Sequence, residues 1–291
     1  PTILDGIGES ILSISRNPTR ALTSSITRAI TAPGIGGGAA PTLTDDLAAI
    51  FAATSAKGYM LRLDSAATLF QNSGGTGAVS SVSDPVGYAT DLSGNGNHFT
   101  QATAGNRALW NGTGCDFDGA GDALTRAALD LSGRSYAYVV FAGQKTTGNN
   151  NTCIMFHSAA TAATDGTIAL WANGGSLANF QYNARGTSPQ AQARLNHPSD
   201  ALASSVSYWN LTVGVDLATQ LDVWHNGVAQ TIGAGSPTGI GPLTTQTHYI
   251  GSTGSFHFAG KGRRYAVLAT ASALTAPQLA TLIAWAEEGR A

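Results

Sequence analysis

Short runs in which apolar and polar residues alternate cover most of the chain after residue 58. A period of two is typical of strands with one buried and one exposed face. Turn-forming segments separate the runs, and the Asn226–Gly227 pair favours a tight hairpin because both positions accept positive φ. We therefore predict an all-β, antiparallel β-sandwich. Its strands are predicted at 59–63, 108–118, 135–143, 152–158, 166–173, 177–185, 206–217, 220–231, 247–253 and 262–270.

Two helices are predicted outside this strand pattern. Thr44 is a suitable N-cap for a short apolar stripe, so residues 41–57 are predicted to form a short helical connector. Near the end of the chain, Thr275 and Gln278 have the spacing of a capping box. The segment 275–288 is therefore predicted to be a helix that packs on the outside of the sandwich, which itself is predicted to span 58–291.

Residues 1–40 differ from the rest of the chain. The pentamer TRALT at 19–23 recurs as TRAIT at 27–31, and a glycine-rich stretch, 34–40, follows. This segment has too little apolar surface to fold alone, so we predict an extended attachment arm that a partner orders, with a disordered tail as the alternative. Strand alternation places basic and apolar residues on one face. We assign the attachment contacts to Arg16, Arg20, Leu22, Arg28 and Ile30.

The overall composition excludes several classes of protein. The chain has 291 residues, of which only 11% are charged, and its net charge is −2, which argues against nucleic acid as a partner. No apolar run approaches the roughly 18 residues of a membrane span. The chain also lacks a charged-then-apolar signal peptide. We therefore expect synthesis in a cytosol without export, and no membrane insertion.

The two cysteines, Cys115 and Cys153, both fall in predicted strands. Cytosolic synthesis disfavours a disulfide between them, although the sequence leaves that pairing open. No histidine lies at ligand spacing beside either cysteine, so a zinc site is not predicted.

Several segments in order resemble concanavalin A-like, laminin-G-like jelly rolls. They are DLSGNGNHFTQATAGNRALW (91–110), CDFDGAGDALT (115–125), LDVWHNGVAQT (221–231), HYIGST (248–253) and FAGKGRRYAVLATASALTAPQLATLIAW (258–285). A narrower stretch, 68–98, is similar to domains in structural proteins of tailed phages and gene transfer agents. There, the jelly roll lies at the particle surface behind a short attachment segment. The resemblance implies a concanavalin A-like jelly roll with an N-terminal arm, carried as a head spike, fibre or tail protein.

The resemblance also raises the question of catalysis, because the same fold occurs in retaining glucanases. Those enzymes need two carboxylates about 5 Å apart, yet Glu9, Glu287 and Glu288 all lie outside the predicted strands. Asp116 and Asp118 alternate on one strand, but aspartates in a segment such as FDGAGD more often hold the following turn. No serine nucleophile elbow is present, and the histidines are scattered. We predict that the protein is not an enzyme.

Sugar binding is the preferred functional prediction. A sugar site needs an aromatic face for the apolar side of the ring and planar polar groups for its hydroxyls. The segment 166–185 offers both, although alternation sends about half of its side chains into the core. The candidate sugar-binding residues are Trp171, Asn173, Tyr182 and Arg185.

Calcium is the one cofactor that the resemblance suggests. Asp165 and the Asn149–Asn151 segment could supply oxygen ligands, but no spaced acidic loop marks a dedicated site. No other cofactor is predicted.

Two functional hypotheses follow. In the first, the chain is a virion surface protein whose arm binds capsid, spike-base or tail subunits and whose jelly roll binds host cell-surface polysaccharide. In the second, it is a purely structural decoration or assembly module that binds no glycan. Both expect a homo-oligomer on the virion surface that is synthesised in the bacterial cytoplasm.

Overall fold

The computed structural model describes residues 41–145, 152–157, 167–174, 178–185, 197–198, 209–216, 220–230, 243–253 and 257–290. The first part of this range contains helix α1 (Leu43–Ala53) and strands β1 (Lys57–Arg62), β2 (Leu69–Asn72), β3 (Thr76–Ala78), β4 (Tyr88–Ala89), β5 (Phe99–Thr100), β6 (Leu109–Trp110), β7 (Cys115–Asp118), β8 (Ala123–Asp130) and β9 (Tyr136–Lys145). The second part contains β10 (Thr152–His157), β11 (Thr167–Gly174), β12 (Ala178–Arg185), β13 (His197–Pro198), β14 (Trp209–Asp216), β15 (Gln220–His225), β16 (Val228–Gln230), β17 (Thr245–Gly251), β18 (Ala259–Thr270) and helix α2 (Ala276–Glu288). Neither helix in these ranges is long and apolar enough to cross a membrane.

The strands form two antiparallel sheets. The first sheet has eight strands in the order β16-β15-β14-β9-β18-β7-β6, with β1 paired to β18 beside this path. The second has ten strands in the order β13-β12-β11-β10-β17-β8-β5-β4-β2-β3. The predicted all-β, antiparallel sandwich is therefore confirmed.

The main core lies between the two sheets. Alternate residues of the central strands of the first sheet, such as Tyr59, Phe141 and Val267, face this core, where they meet Leu170 and Ile250 of the second sheet. All five are buried. Burial of this contiguous apolar surface is the main favourable contribution to folding.

A second apolar cluster covers the other face of the first sheet. Met60, Val140 and Leu268 lie between the core-facing residues of their strands, and they pack against helices α1 and α2. The largest helical side chain in this cluster, Trp285, is fully buried. The described body therefore has three layers: the second sheet, the first sheet, and a layer of two helices.

Three details differ from the sequence predictions. The N-cap of α1 is Thr42, whose hydroxyl accepts the backbone N–H of Asp45 at 3.2 Å, and Thr44 instead accepts the indole N–H of Trp285 at 3.3 Å. A turn at 111–114 divides the predicted strand 108–118 into β6 and β7. Strand β8 was not predicted, because a bulge with a positive φ at Ala128 interrupts its alternation. The short strands β2 to β5 and β13 were not predicted either.

Candidate functional site

The outer face of the second sheet, away from the core, carries a row of partly exposed side chains. The register pairs them one to the next on neighbouring strands, in the order Phe70, Tyr88, Thr100, Thr125 and Tyr249. We call these five side chains the outer-face row. At about 4.8 Å per strand the row crosses roughly 19 Å of sheet. The residues beside them along each strand are buried, which shows that the row faces away from the core: Leu69, Ala89, Phe99, Leu124 and Ile250.

Tyr88 is the centre of an aromatic group in this row. The ring of His98 stacks on it with centroids 5.3 Å apart and planes at 29°. Phe70 also contacts Tyr88 in a T-shaped arrangement, with centroids 5.6 Å apart and planes at 78°. Partial burial and, secondarily, the negative charge of Asp91 raise the pKa of the Tyr88 hydroxyl, so it remains a hydrogen-bond donor at neutral pH.

The segment from Asp91 to His98 fixes the position of the histidine. The Asp91 carboxylate accepts backbone N–H groups of Met60 at 2.9 Å, Ser93 at 2.9 Å and Asn97 at 2.8 Å. The N–H of Asp91 donates to Nδ1 of His98 at 3.1 Å. Since Nδ1 accepts this bond, the proton of the neutral ring is on Nε2. The histidine is therefore held beside Tyr88 in one tautomer.

The same segment is attached to the start of β1 through Gly58. Its carbonyl accepts the side-chain amides of Asn97 at 2.7 Å and Asn95 at 3.1 Å. Gly58 has φ +118, and a Cβ there would lie 1.8 Å from the carbonyl oxygen of Val267, so only glycine fits. The DLSGNGNH segment thus has a structural role, which is to hold one side of the row against the first sheet.

A second group of polar rings lies inside the core and is closed to solvent. The Tyr59 hydroxyl of the first sheet is 2.9 Å from Nε2 of His248 in the second sheet. His157 donates from Nε2 to the Thr244 carbonyl at 3.1 Å. Burial lowers the pKa of His157 to about 4 and also lowers the pKa of His248, so both rings are neutral at neutral pH. Because both are fully buried, they form no substrate site.

Comparison with known proteins identifies the fold. No protein-family model and no curated protein matches the chain. The ligand-binding domain of botulinum neurotoxin serotype D, solved in complex with N-acetylneuraminic acid, matches with a TM-score of 0.55 and 11% identity over 84% of this chain and 53% of that one. The chain is a jelly-roll β-sandwich.

Two further solved structures share this fold. A GH54 α-L-arabinofuranosidase soaked with a cyclic sulfate inhibitor has a TM-score of 0.53 and 15% identity over 84% of this chain and 65% of that one. The binding domain of botulinum neurotoxin serotype D has a TM-score of 0.51 and 11% identity over 79% of this chain and 50% of that one. The chain thus spans 50–65% of the length of these structures, and the likeness is one of fold.

The predicted sugar-binding residues lie on β11 and β12, toward the β13 edge of the second sheet. The register pairs Tyr182 with the buried Leu170, whereas Trp171, Asn173 and Arg185 belong to the alternate set of positions. The backbone therefore brings three of the four positions to one face of the sheet and Tyr182 to the other. Their side chains lie outside the described residues, and their role in sugar binding stays a prediction.

The aspartates weighed as a catalytic pair hold turns. Asp116 accepts the side-chain amide of Asn111, and Asp118 accepts the backbone N–H of Ala120 at 2.7 Å. The N–H of Asp118 donates in turn to Asp122 at 2.9 Å. The prediction that these aspartates hold the following turn is confirmed for Asp118, whereas Asp116 binds a side chain of the preceding turn.

Several predicted residues lie outside the described ranges. These include Asp165, the Asn149–Asn151 segment and the arm residues Arg16, Arg20, Leu22, Arg28 and Ile30. Within the described ranges, no group of three His, Cys, Asp or Glu side chains could hold a metal ion. The calcium site and the arm contacts stay predictions.

Cys115 is a buried free thiol, and burial raises its pKa.

Sequence reasoning did not find the outer-face row. Each of its residues follows or precedes a buried apolar neighbour. Alternation of apolar and polar positions was therefore present in the sequence, in segments such as GYA (87–89) and HFT (98–100). These segments form strands of only two residues, which are too short to show a period. Their proximity depends on pairing between distant parts of the chain.

Proposed function

We propose that this protein binds carbohydrate on the outer face of its second sheet. The observation that carries the proposal is the Tyr88–His98 stack within a partly exposed row of rings and hydroxyls. Structures of the same fold include a domain solved with N-acetylneuraminic acid and an arabinofuranosidase, which supports a sugar as the ligand class.

The chemistry of the row suits a sugar chain. Aromatic rings offer apolar faces to the C–H groups of a pyranose or furanose. The Thr100 hydroxyl, the Tyr88 hydroxyl and Nε2–H of His98 can donate hydrogen bonds to ring hydroxyls and acetal oxygens. The Thr125 hydroxyl donates to the Thr100 carbonyl at 3.1 Å, so it can accept a hydrogen bond from a sugar hydroxyl. A row of roughly 19 Å provides room for several consecutive sugar units. We propose binding without catalysis, because the carboxylates Asp116 and Asp118 are used in turns.

Replacing Tyr88 with alanine is expected to weaken glycan binding at least about tenfold, because it removes the ring on which the sugar stacks. A glycan array identifies the ligand, and titration calorimetry then compares the variant with the parent. The control is Val228→Ala, which removes an apolar side chain that is 62% exposed from the first sheet. It is expected to leave affinity unchanged.

Equal binding by the parent and by Tyr88→Ala would place the sugar elsewhere, and Trp171→Ala would then test the β11–β12 positions. If the parent binds no glycan on the array, carbohydrate binding is wrong. That result would favour the structural decoration or assembly module.

We further propose that the glycan is a host cell-surface polysaccharide and that the chain is a virion surface protein. The resemblance of 68–98 to structural proteins of tailed phages and gene transfer agents supports this proposal, as does the repeated basic pentamer of the arm. Capsid, spike-base or tail subunits would then bind residues 1–40. A homo-oligomer would present several rows to the same surface.

Deletion of residues 1–33 tests this proposal. The described apolar clusters begin at Leu47, so the truncated protein is expected to stay folded and to bind the same glycan. It is also expected to be absent from purified particles, as measured by quantitative mass spectrometry against the full-length chain. Incorporation of the truncated protein at normal copy number would show that the arm is not the anchor.

A further inference from the structure

The outer-face row carries no charged side chain. Its five members are phenyl, phenol and hydroxyl groups. His98, which stacks on Tyr88, accepts the backbone N–H of Asp91 at Nδ1. A ligand that lies along the row therefore meets no side chain that would neutralise a carboxylate.

Two arginines in or beside these strands, Arg126 and Arg107, do not face the row. Arg126 is paired with the buried His248, and its guanidinium donates to Asn97 and to the Ala127 carbonyl. Arg107 donates to the carbonyls of residues 101 and 102. Its Nε would lie 3.0 Å from a Cβ at Gly87, the position before Tyr88, so it lies on the side of the strand opposite Tyr88. Both cations are thus held by other acceptors, away from the row.

The charge that does act on the row is negative. Asp91 is buried, and its backbone N–H binds the stacked His98 ring. Three backbone N–H groups and the Ser93 hydroxyl bind its carboxylate. Its charge contributes to the raised pKa of the Tyr88 hydroxyl. The negative charge of Asp91 would also repel a carboxylate on a bound sugar, because two like charges repel.

We infer that the row selects uncharged glycans and rejects acidic ones such as N-acetylneuraminic acid or uronic acids. This inference rests on the proposed carbohydrate binding and adds a ligand class to it. It also separates this chain from the neurotoxin domain of the same fold, which was solved with an acidic sugar.

Matched ligand pairs that differ only in charge test the inference. Polygalacturonate is compared with its fully methyl-esterified form, and sialyllactose with lactose, on a glycan array that also carries other uncharged glycans. Uncharged members are expected to bind at least about fivefold more tightly than acidic members at low salt, from a like-charge repulsion of about 1 kcal/mol. This difference in affinity is expected to shrink in 0.5 M salt, because the screening length is then on the order of 4 Å.

Two variants link the selectivity to the residues. Tyr88→Ala is expected to abolish the preferred binding, and Asp91→Asn is expected to reduce the discrimination against acidic glycans. Since Asp91→Asn also removes acceptors from the 91–98 segment, the salt dependence of the parent serves as an independent measurement.

The outcomes separate the two proposals. Tyr88-dependent binding that is equal for both members of each pair, or tighter for the acidic member, would overturn the charge selectivity and leave carbohydrate binding intact. Absence of binding to every glycan of both classes would overturn both.

Discussion

Replacing Arg264 with methionine is expected to lower the free energy of unfolding by about 3 kcal/mol. The arginine is 2% exposed, and its guanidinium contacts Asp64 at 2.9 Å, Glu288 at 2.8 Å and the Trp285 carbonyl at 2.6 Å. It also lies 5.2 Å from the centre of the Trp285 ring. Methionine fills much of the volume but leaves the carbonyl at the end of α2 without its donor. Urea unfolding measures the change.

The matched control for this substitution is Arg290→Met. Arg290 pairs with Glu287 at 3.0 Å, but the two side chains are 44% and 26% exposed. Solvent-exposed ion pairs of this kind contribute little, so a change below about 0.5 kcal/mol is expected. If both variants lose the same stability, burial of the Arg264 pairs is not what holds α2 to the first sheet.

Acidification is expected to remove about 3 kcal/mol of stability through His157 alone. Burial lowers the pKa of the folded-state ring to about 4, below the ordinary value of 6.5. Below pH 6.5 the unfolded chain therefore binds a proton that the folded chain does not bind until about pH 4. The contribution of His157 to stability is fully present above pH 6.5 and is lost as the pH falls from 6.5 to about 4. His248, whose pKa burial also lowers, adds to the loss.

Asp122 acts in the opposite direction, so the test is a difference between two proteins. Burial raises the pKa of its folded-state carboxyl to about 6 from 3.8, and its contribution to stability grows as the pH falls. His157→Gln can keep the hydrogen bond to the Thr244 carbonyl but cannot titrate. Urea unfolding from pH 7.5 to 4 is expected to show the variant losing about 3 kcal/mol less than the parent. Parallel stability curves would contradict the prediction.

The fold could be predicted largely because local patterns and tertiary packing agree. The Asn226–Gly227 turn, with φ of 50 and 72, joins β15 to β16 as the hairpin signal predicted. The capping box at Thr275 starts α2. The covering of the first sheet by both helices was harder to predict, because the segment 265–269 of β18 is buried on both faces and reads as a continuous apolar run. Such a run indicates that both faces of the strand are covered, but it does not indicate which elements cover them.

The candidate site could not be predicted in the same way. Tyr88 and Tyr249 are distant in the chain, and they share a row only because β4, β5, β8 and β17 pair in a particular register. No local pattern contains that information. The aromatic and amide composition of 166–185 was visible in the sequence, whereas the row depends on strands of two residues. Composition therefore directed attention to β11 and β12 rather than to the strands that form the outer-face row.

The three-layer arrangement gives the described body a front and a back. Residue 41, where this body begins, leads directly into α1 in the helical layer, and the indole of Trp285 bonds to Thr44 within that layer. The outer-face row lies on the far side of both sheets. A tether joined at residue 41 therefore starts on the side of the helical layer and leaves the outer-face row open. For an immobilised sensor or an affinity resin, coupling at residue 41 itself would leave the outer-face row facing the solution.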